Sequence, residues 1–347
     1  MRSRSAARGW RASTSANASG TPARLAAGSP SSPGANVSLI ASSAARCRRE
    51  SSIAAYANAM PKIELELVGA GGEPVDFWRT VNSHGLNDLL PNRIDSVERT
   101  LELTLHPGPQ TVVVRRADDR TITVEGRAPR QVAAAVRHVL RLDEDLAPLY
   151  SSLAEDADLA WAASGAGRWM RGQTVFEDVV KTICTTNCAW SGTVRMVSAL
   201  VERLGEESDR GRRAFPTPEA MAKAPLRFYR DVARAGYRAA YLRSLAKSVA
   251  SGKLDFEALG ADSELDDDEV AARLLELPGV GPYAASHVLM LLGRYSRLVL
   301  DSWTRPTYAR LNGRKATDAA IERRFRRYGP YAGLAFWLYL TRDWVED

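Results

Sequence analysis

Asp301 is the single acid in "YSRLVLDSWTR", after an apolar strip and before a segment that reads as the start of a helix. A carboxylate there has two uses. As an N-cap it accepts main-chain N–H groups. At an open cleft it stabilises a developing sugar cation or activates water. Spacing alone leaves both uses open. Eighteen residues earlier, Tyr283 lies in "LLELPGVGPYAASHVL". The first helix of this stretch is expected to run to Leu277, where Pro278 cannot continue it. Gly279 and Gly281 permit positive φ and leave the backbone bare. A second helix starts near Pro282. Such a turn presents unpaired N–H groups at a helix N-terminus, where an anion such as phosphate can bind. It can also approach a DNA backbone closely without reading sequence. An ordinary helix–helix turn is the plain alternative.

Other reactive residues form no comparable pattern. Cys47, Cys184 and Cys188 make neither a disulfide framework nor a four-cysteine metal site. Cys184 and Cys188, four apart in an apolar helical stretch, read as buried thiols. His84, His106, His138 and His287 lack metal-ligand spacing. His287 reads as one residue of a helix face, and nothing singles it out.

Elements that could position these residues follow from the periodicity. From Lys62 to about Gly126, "IELELV", "TLELTL", "TVVVRR" and "TITVEG" alternate or are β-branched, with Gly, Pro and Asp turns between them. "PRQVAAAVRHVLRL" then reads as a helix with Pro129 in its first turn. After Asp143 the strand signals stop. "TVFEDVVKTICTTN", "GTVRMVSALVERLG", "FPTPEAMAKA", "YLRSLAKSVASG", "DDDEVAARLLEL", "AASHVLMLLGRY" and "GLAFWLYLTRDW" all fit helices. Thr217-Pro218-Glu219 has a capping hydroxyl with Pro at the first helical position. The expected fold is α+β: a small antiparallel sheet plus helix over 62–145, then a larger all-α part over 146–347.

The 347 residues are 45% hydrophobic and 25% charged, enough for a sizeable core. No apolar run approaches the length of a bilayer span, so the chain reads as soluble. The formal charge of +6 is misleading. The first 60 residues hold eight Arg and one acid, Glu50, which puts +7 there and leaves −1 on the other 287. Nucleic-acid binding therefore has to rest on local patches. Residues 1–57 are rich in Arg, Ser and Ala. They read as a transit peptide, as the product of a mis-set start upstream of Met60, or as a disordered basic arm. A true start at Met60 would fit a bacterial cytoplasm or nucleoid. A genuine targeting segment would fit a nucleus or an organelle.

Taken in order, these segments resemble the helix-hairpin-helix DNA glycosylase superfamily, nearest to its 3-methyladenine glycosylase II and 8-oxoguanine glycosylase branches. Besides the hairpin and its downstream aspartate, "RGQTVFEDVVKTICTTN", "FPTPEAMA", "AGYRAAYLRSLAKSV" and "YGPYAGLAFWLYL" are similar to successive family segments. The likeness covers roughly Lys62 to Trp344. It implies that Asp301 is the catalytic carboxylate and that Gly279, Val280 and Gly281 hold a DNA phosphate. It implies that carbonyls of Leu275, Leu277 and Val280 ligate a monovalent cation, with no further cofactor. The family's bifunctional members carry a lysine where this chain has Tyr283. The resemblance therefore implies base removal by water, without strand cleavage.

The same likeness assigns Tyr283 and Trp303 to the base pocket. Asn187, Tyr237 and Arg238 fall at the wedge and the opposite base. Trp190 reads as core. Clustered cysteines near the C-terminus are absent, which removes the iron–sulfur cluster of other branches. The partner implied is double-stranded DNA containing a damaged base, bound by a monomer, with an alkylated purine as the first substrate class. Oxidised guanine, a mismatched base, and a non-catalytic DNA-holding role are the alternatives.

Overall fold

The computed structural model describes residues 61–261 and 263–345. The three readings of the N-terminal extension lie outside them.

Five antiparallel strands form one sheet, β1 (Lys62–Glu66), β2 (Arg93–Asp95), β3 (Thr100–Leu105), β4 (Gln110–Arg116) and β5 (Thr121–Glu125), in the order β1-β5-β4-β3-β2. Four match the alternating segments. The fifth, β2, was not anticipated: Arg-Ile-Asp is too short to show a period, and it pairs with Thr100–Glu102 of β3. Helix α1 (Phe77–Val81) lies between β1 and β2, and α2 (Pro129–Val139) follows β5. Val132, Val136 and Val139 are spaced four and three apart on α2. They bury against Leu101, Leu103, Val112, Val114, Ile122 and Val124 of the sheet. Each is worth about 1.5–3 kcal/mol on full burial.

Among the described residues ten further α-helices follow: α3 (Ala147–Leu153), α4 (Val175–Thr185), α5 (Trp190–Leu204), α6 (Pro218–Lys223), α7 (Arg238–Ala250), α8 (Asp267–Leu275), α9 (Pro282–Leu291), α10 (Thr304–Leu311), α11 (Asp318–Phe325) and α12 (Ala332–Thr341). They enclose a second apolar cluster centred on α4, α9 and α12, whose side chains are buried almost all round. Among the described residues no helix is long and apolar enough to cross a membrane. One expectation needs correction: α8 ends at Leu275, not Leu277, so Glu276 and Leu277 belong to the turn.

Two buried arginines tie the clusters together. Arg141 donates to the carbonyls of Trp169 (2.6 Å) and Met290 (3.3 Å) and also reaches that of Leu291. A guanidinium on the last carbonyls of α9 favours that end of the helix dipole and fixes its direction. Arg168, fully buried, donates to the carbonyls of Arg141 and Glu144 and pairs with Glu73. The helix that begins at the Gly-rich turn is thus anchored at its far end to the sheet side of the molecule.

Candidate active site

The turn between α8 and α9 is compact. Val280 N–H donates to the Leu277 carbonyl at 3.1 Å, and Ala285 N–H donates to Gly281 at 2.9 Å as the first turn of α9. Gly279 has φ +90, and a Cβ there would meet the Tyr241 ring at 2.9 Å, so glycine is required twice over. Gly281 is different: its φ is −102, and a Cβ would face open space. No side chain caps α9, and Pro282 occupies its first position. The N–H groups of the next residues are thereby left to an outside acceptor.

Asp301 opens α10. The N–H groups of Trp303 and Thr304 donate to its Oδ1 at 2.8 and 2.6 Å, and its own N–H donates to Thr304 Oγ1 at 2.7 Å. This is a reciprocal cap. Among the described residues no donor reaches Oδ2. The carboxylate is therefore fixed by one oxygen and free at the other.

Both features open on one cleft of about 1050 Å³, which Gly279, Val280, Gly281, Tyr283, Asp301 and Trp303 line together with Asn187, Tyr237 and Tyr241. Tyr283 comes from the first turn of α9, and its hydroxyl lies 3.3 Å from Thr185 Oγ1 at the end of α4. Burial raises the phenol above its ordinary pKa, and the nearby Asp301 charge adds to this. No lysine is among the residues lining the cleft.

Across the cleft, Asn187 follows α4 with φ +44 and donates to the Tyr237 hydroxyl at 3.5 Å. Tyr237 is 52% exposed and so is not a core aromatic. Arg238 is not a solvated charge. It is 5% exposed, 4.4 Å from the Tyr237 ring, with Nε on Thr186 Oγ1 at 3.2 Å and Nη2 without a partner. It braces the Asn187 loop from behind and does not line the cleft.

The remaining residues singled out in the sequence fall as follows. Trp190 lines the cleft as well as packing on the core. Cys184 is buried, and burial pushes its thiol up to about 12; Cys188 is exposed, because α4 has already ended at Thr185. Leu275 and Leu277 stand outside the cleft, Leu275 with its side chain 43% exposed. Among the described residues no three His, Cys, Asp or Glu gather as a metal-ligand set.

Sequence reading passed over His287. It sits one turn after Tyr283 on α9, 5.8 Å between ring centroids, and only 6% exposed. Neither of its ring nitrogens has a partner. Burial pulls its pKa down to about 4. A partnerless buried imidazole depends on the tertiary surroundings, and no spacing in the sequence announces it.

The fold is shared with known proteins. The structure of 3-methyladenine DNA glycosylase from Archaeoglobus fulgidus superposes with a TM-score of 0.64 at 23% identity, covering 82% of this chain and 99% of that one. No family model matches the chain. Among curated proteins, a probable N-glycosylase/DNA lyase of Methanothermobacter thermautotrophicus is 25% identical over 223 residues, 57% of this chain and 70% of the relative. A putative DNA-3-methyladenine glycosylase of Bacillus subtilis is 26% identical over 171 residues, 47% of this chain and 58% of the relative. The curated relatives and the structure neighbours are DNA glycosylases, consistent with the helix-hairpin-helix superfamily.

Proposed function

We propose that the chain is a monofunctional DNA glycosylase of base excision repair. In this reading it extrudes a damaged purine, an alkylated one first among the candidates, and hydrolyses its N-glycosidic bond to leave an abasic site. The observation that carries the reading is the state of Asp301: one oxygen held by a cap, the other free, on a cleft beside a bare-backbone turn. The turn is a helix-hairpin-helix element that grips a DNA phosphate through the N–H groups at Gly279, Val280 and Gly281. The free carboxylate oxygen stabilises the oxocarbenium-like sugar as the base departs and directs water to it. Tyr237 and Asn187 fill the space vacated by the flipped base, which offsets part of a few kcal/mol of unstacking. Tyr283 and Trp303 face the base, and aromatic walls suit an alkylated purine cation.

A monovalent cation on the carbonyls of Leu275, Leu277 and Val280 belongs to the same proposal. The donor set is neutral and all oxygen, and the Leu277 carbonyl keeps a second lone pair beyond its bond to Val280. So do action as a monomer and the division into a sheet domain, 62–145, and a helical domain, 146–347. The absence of a strand-cleaving step is supported by Tyr283, whose phenol forms no imine, and by a cleft lining without lysine. One relative carries a lyase name, which keeps an oxidised-base, bifunctional enzyme as the second reading.

One assay separates the readings. Duplexes carrying single lesions are incubated with the protein, with and without hot alkali and with borohydride. Breaks that need alkali, with no trapped adduct, support the first reading. A borohydride-trapped adduct supports the second. Binding with no abasic product from any lesion indicates a non-catalytic holder.

A further inference from the structure

Arg305 lines the cleft, yet the reaction above gives it no task. Among the described residues that line the cleft, it is the one cation and Asp301 the one anion. The Arg305 N–H donates to the Asp301 carbonyl at 3.4 Å, so the two side chains leave the chain one helical turn apart. Asp318, at the start of α11, takes the guanidinium as a fork: Nε donates to Oδ1 and Nη2 to Oδ2, both at 2.8 Å. Those hydrogen bonds, and then the Asp318 and Asp301 charges, hold the Arg305 pKa above its ordinary value.

A guanidinium carries five N–H groups. The fork uses two of them, and among the described residues no acceptor takes the other three. As a stitch between α10 and α11 the pair is weak. Its side chains are 45% and 46% exposed, and exposed ion pairs add little to stability. A cation in the first turn of α10 also opposes the helix dipole. What the fork does supply is direction: it fixes a planar donor set on the cleft wall, with one edge spent and another open. The cleft has a use for such a group. Asp301 repels an incoming phosphate, and the chain beyond Met60 carries no net positive charge, so attraction has to come from single side chains.

We propose that Arg305, oriented by Asp318, grips a phosphate flanking the extruded nucleotide and so places its sugar at the free oxygen of Asp301. The Gly-rich turn takes one phosphate through its N–H groups, and Arg305 takes the neighbouring one. The cleft receives backbone only when a nucleotide leaves the double helix, so the contact forms on extrusion and not on intact duplex. This assignment rests on the glycosylase reading. An ion pair that only joins α10 to α11 is the alternative.

The test follows binding of the full chain by fluorescence anisotropy between about 50 and about 200 mM KCl. The probes are a labelled duplex with one tetrahydrofuran abasic site and the same duplex undamaged. The proteins are wild type, Arg305→Gln, Arg305→Lys, and the double variant Arg305→Gln with Asp318→Asn, which keeps the wild-type net charge. On the abasic duplex, Arg305→Gln should raise Kd about tenfold at the lower salt and about threefold at the higher. One lost phosphate contact lowers the slope of log Kd against log salt by about 0.9. The double variant should show the same loss, which a change in overall charge does not explain. Arg305→Lys should keep the slope, because it keeps the charge, and recover only part of the affinity. On undamaged duplex, wild type and the double variant should bind alike. Where Arg305→Gln melts below wild type, the double variant is read in its place. Parallel slopes for wild type and the double variant, an equal loss on both duplexes, or no binding of the abasic duplex by wild type would overturn the assignment. Failure of the glycosylase reading shows separately, as lesion duplexes that wild type leaves intact while it still binds the abasic one.

Discussion

Asp301 and Thr304 hold each other: Thr304 N–H donates to Asp301 Oδ1 at 2.6 Å, and Asp301 N–H returns to Thr304 Oγ1 at 2.7 Å. The pair turns a flexible carboxylate into one of fixed direction, with Oδ2 left over. Structural and chemical uses of the residue can therefore be separated by substitution.

Asp301→Asn keeps an oxygen for the cap but removes the charge. Its melting temperature should match wild type, and excision should fall by at least the factor of about 10²–10⁴ typical of lost general acid–base catalysis. Asp301→Ala should lose the cap as well, at about 0.5–2 kcal/mol. Thermal melting beside single-turnover excision checks both. Unchanged turnover in Asp301→Asn would move the chemistry to another group.

The two turn glycines should separate in the same way. Gly279→Ala forces a side chain into positive φ, at about 1–2 kcal/mol, and drives its methyl against Tyr241. Lower stability is expected before any DNA is added. Gly281→Ala meets nothing within 4 Å and has an ordinary φ. It should melt like wild type; if the turn holds a phosphate as proposed, it should bind abasic-site duplex more weakly, because the methyl would stand in the phosphate's approach. Equal affinity for Gly281→Ala would mean that the turn does not face DNA.

Tyr237 is half exposed and, among the described residues, bonded through its hydroxyl to Asn187 and its ring to Arg238 and Tyr241. Tyr237→Ala should cost little stability. It should slow excision from a stable base pair more than from a mismatch, where less unstacking is needed. Equal slowing on both substrates would argue against a wedge.

Much of this was legible in the sequence, for identifiable reasons. β1, β3, β4 and β5 announce themselves by alternation, and α4 and α9 by apolar runs bounded by Thr174 and Pro282. Gly279 follows from turn chemistry and Asp301 from its place before a helix, whereas Tyr283 was singled out only by the family resemblance. What the sequence hides is decided by distant neighbours. Nothing in the sequence shows that Arg238 is buried behind the Asn187 loop. Trp190 looks like core until the cleft opens beside it. Arg141 and Arg168 give no hint that they are buried on carbonyls from other segments.

The buried histidines make stability depend on pH on the acid side. Burial lowers the pKa of both His84 and His287, that of His287 to about 4, and the His84 imidazole is further disfavoured as a cation by His287, Lys181 and Arg141. His138 also falls to about 4. Between about pH 4 and the ordinary imidazole value of 6.5, the unfolded chain binds protons that the folded chain does not. Their contribution is therefore constant above pH 6.5 and is lost as pH falls through that window. Asp178 opposes this. Its carboxyl is raised to about 7, first by burial and then by Glu177, so its contribution is present at low pH and is lost as pH rises from 3.8 towards 7. The two trends partly cancel in wild type, and variants uncover them. Urea midpoints measured from pH 4.5 to 7.5 should fall less on acidification in His287→Phe than in wild type. In Asp178→Asn they should fall more steeply, because the opposing carboxyl is gone. Parallel curves for wild type and His287→Phe would mean that His287 is already protonated in the folded chain.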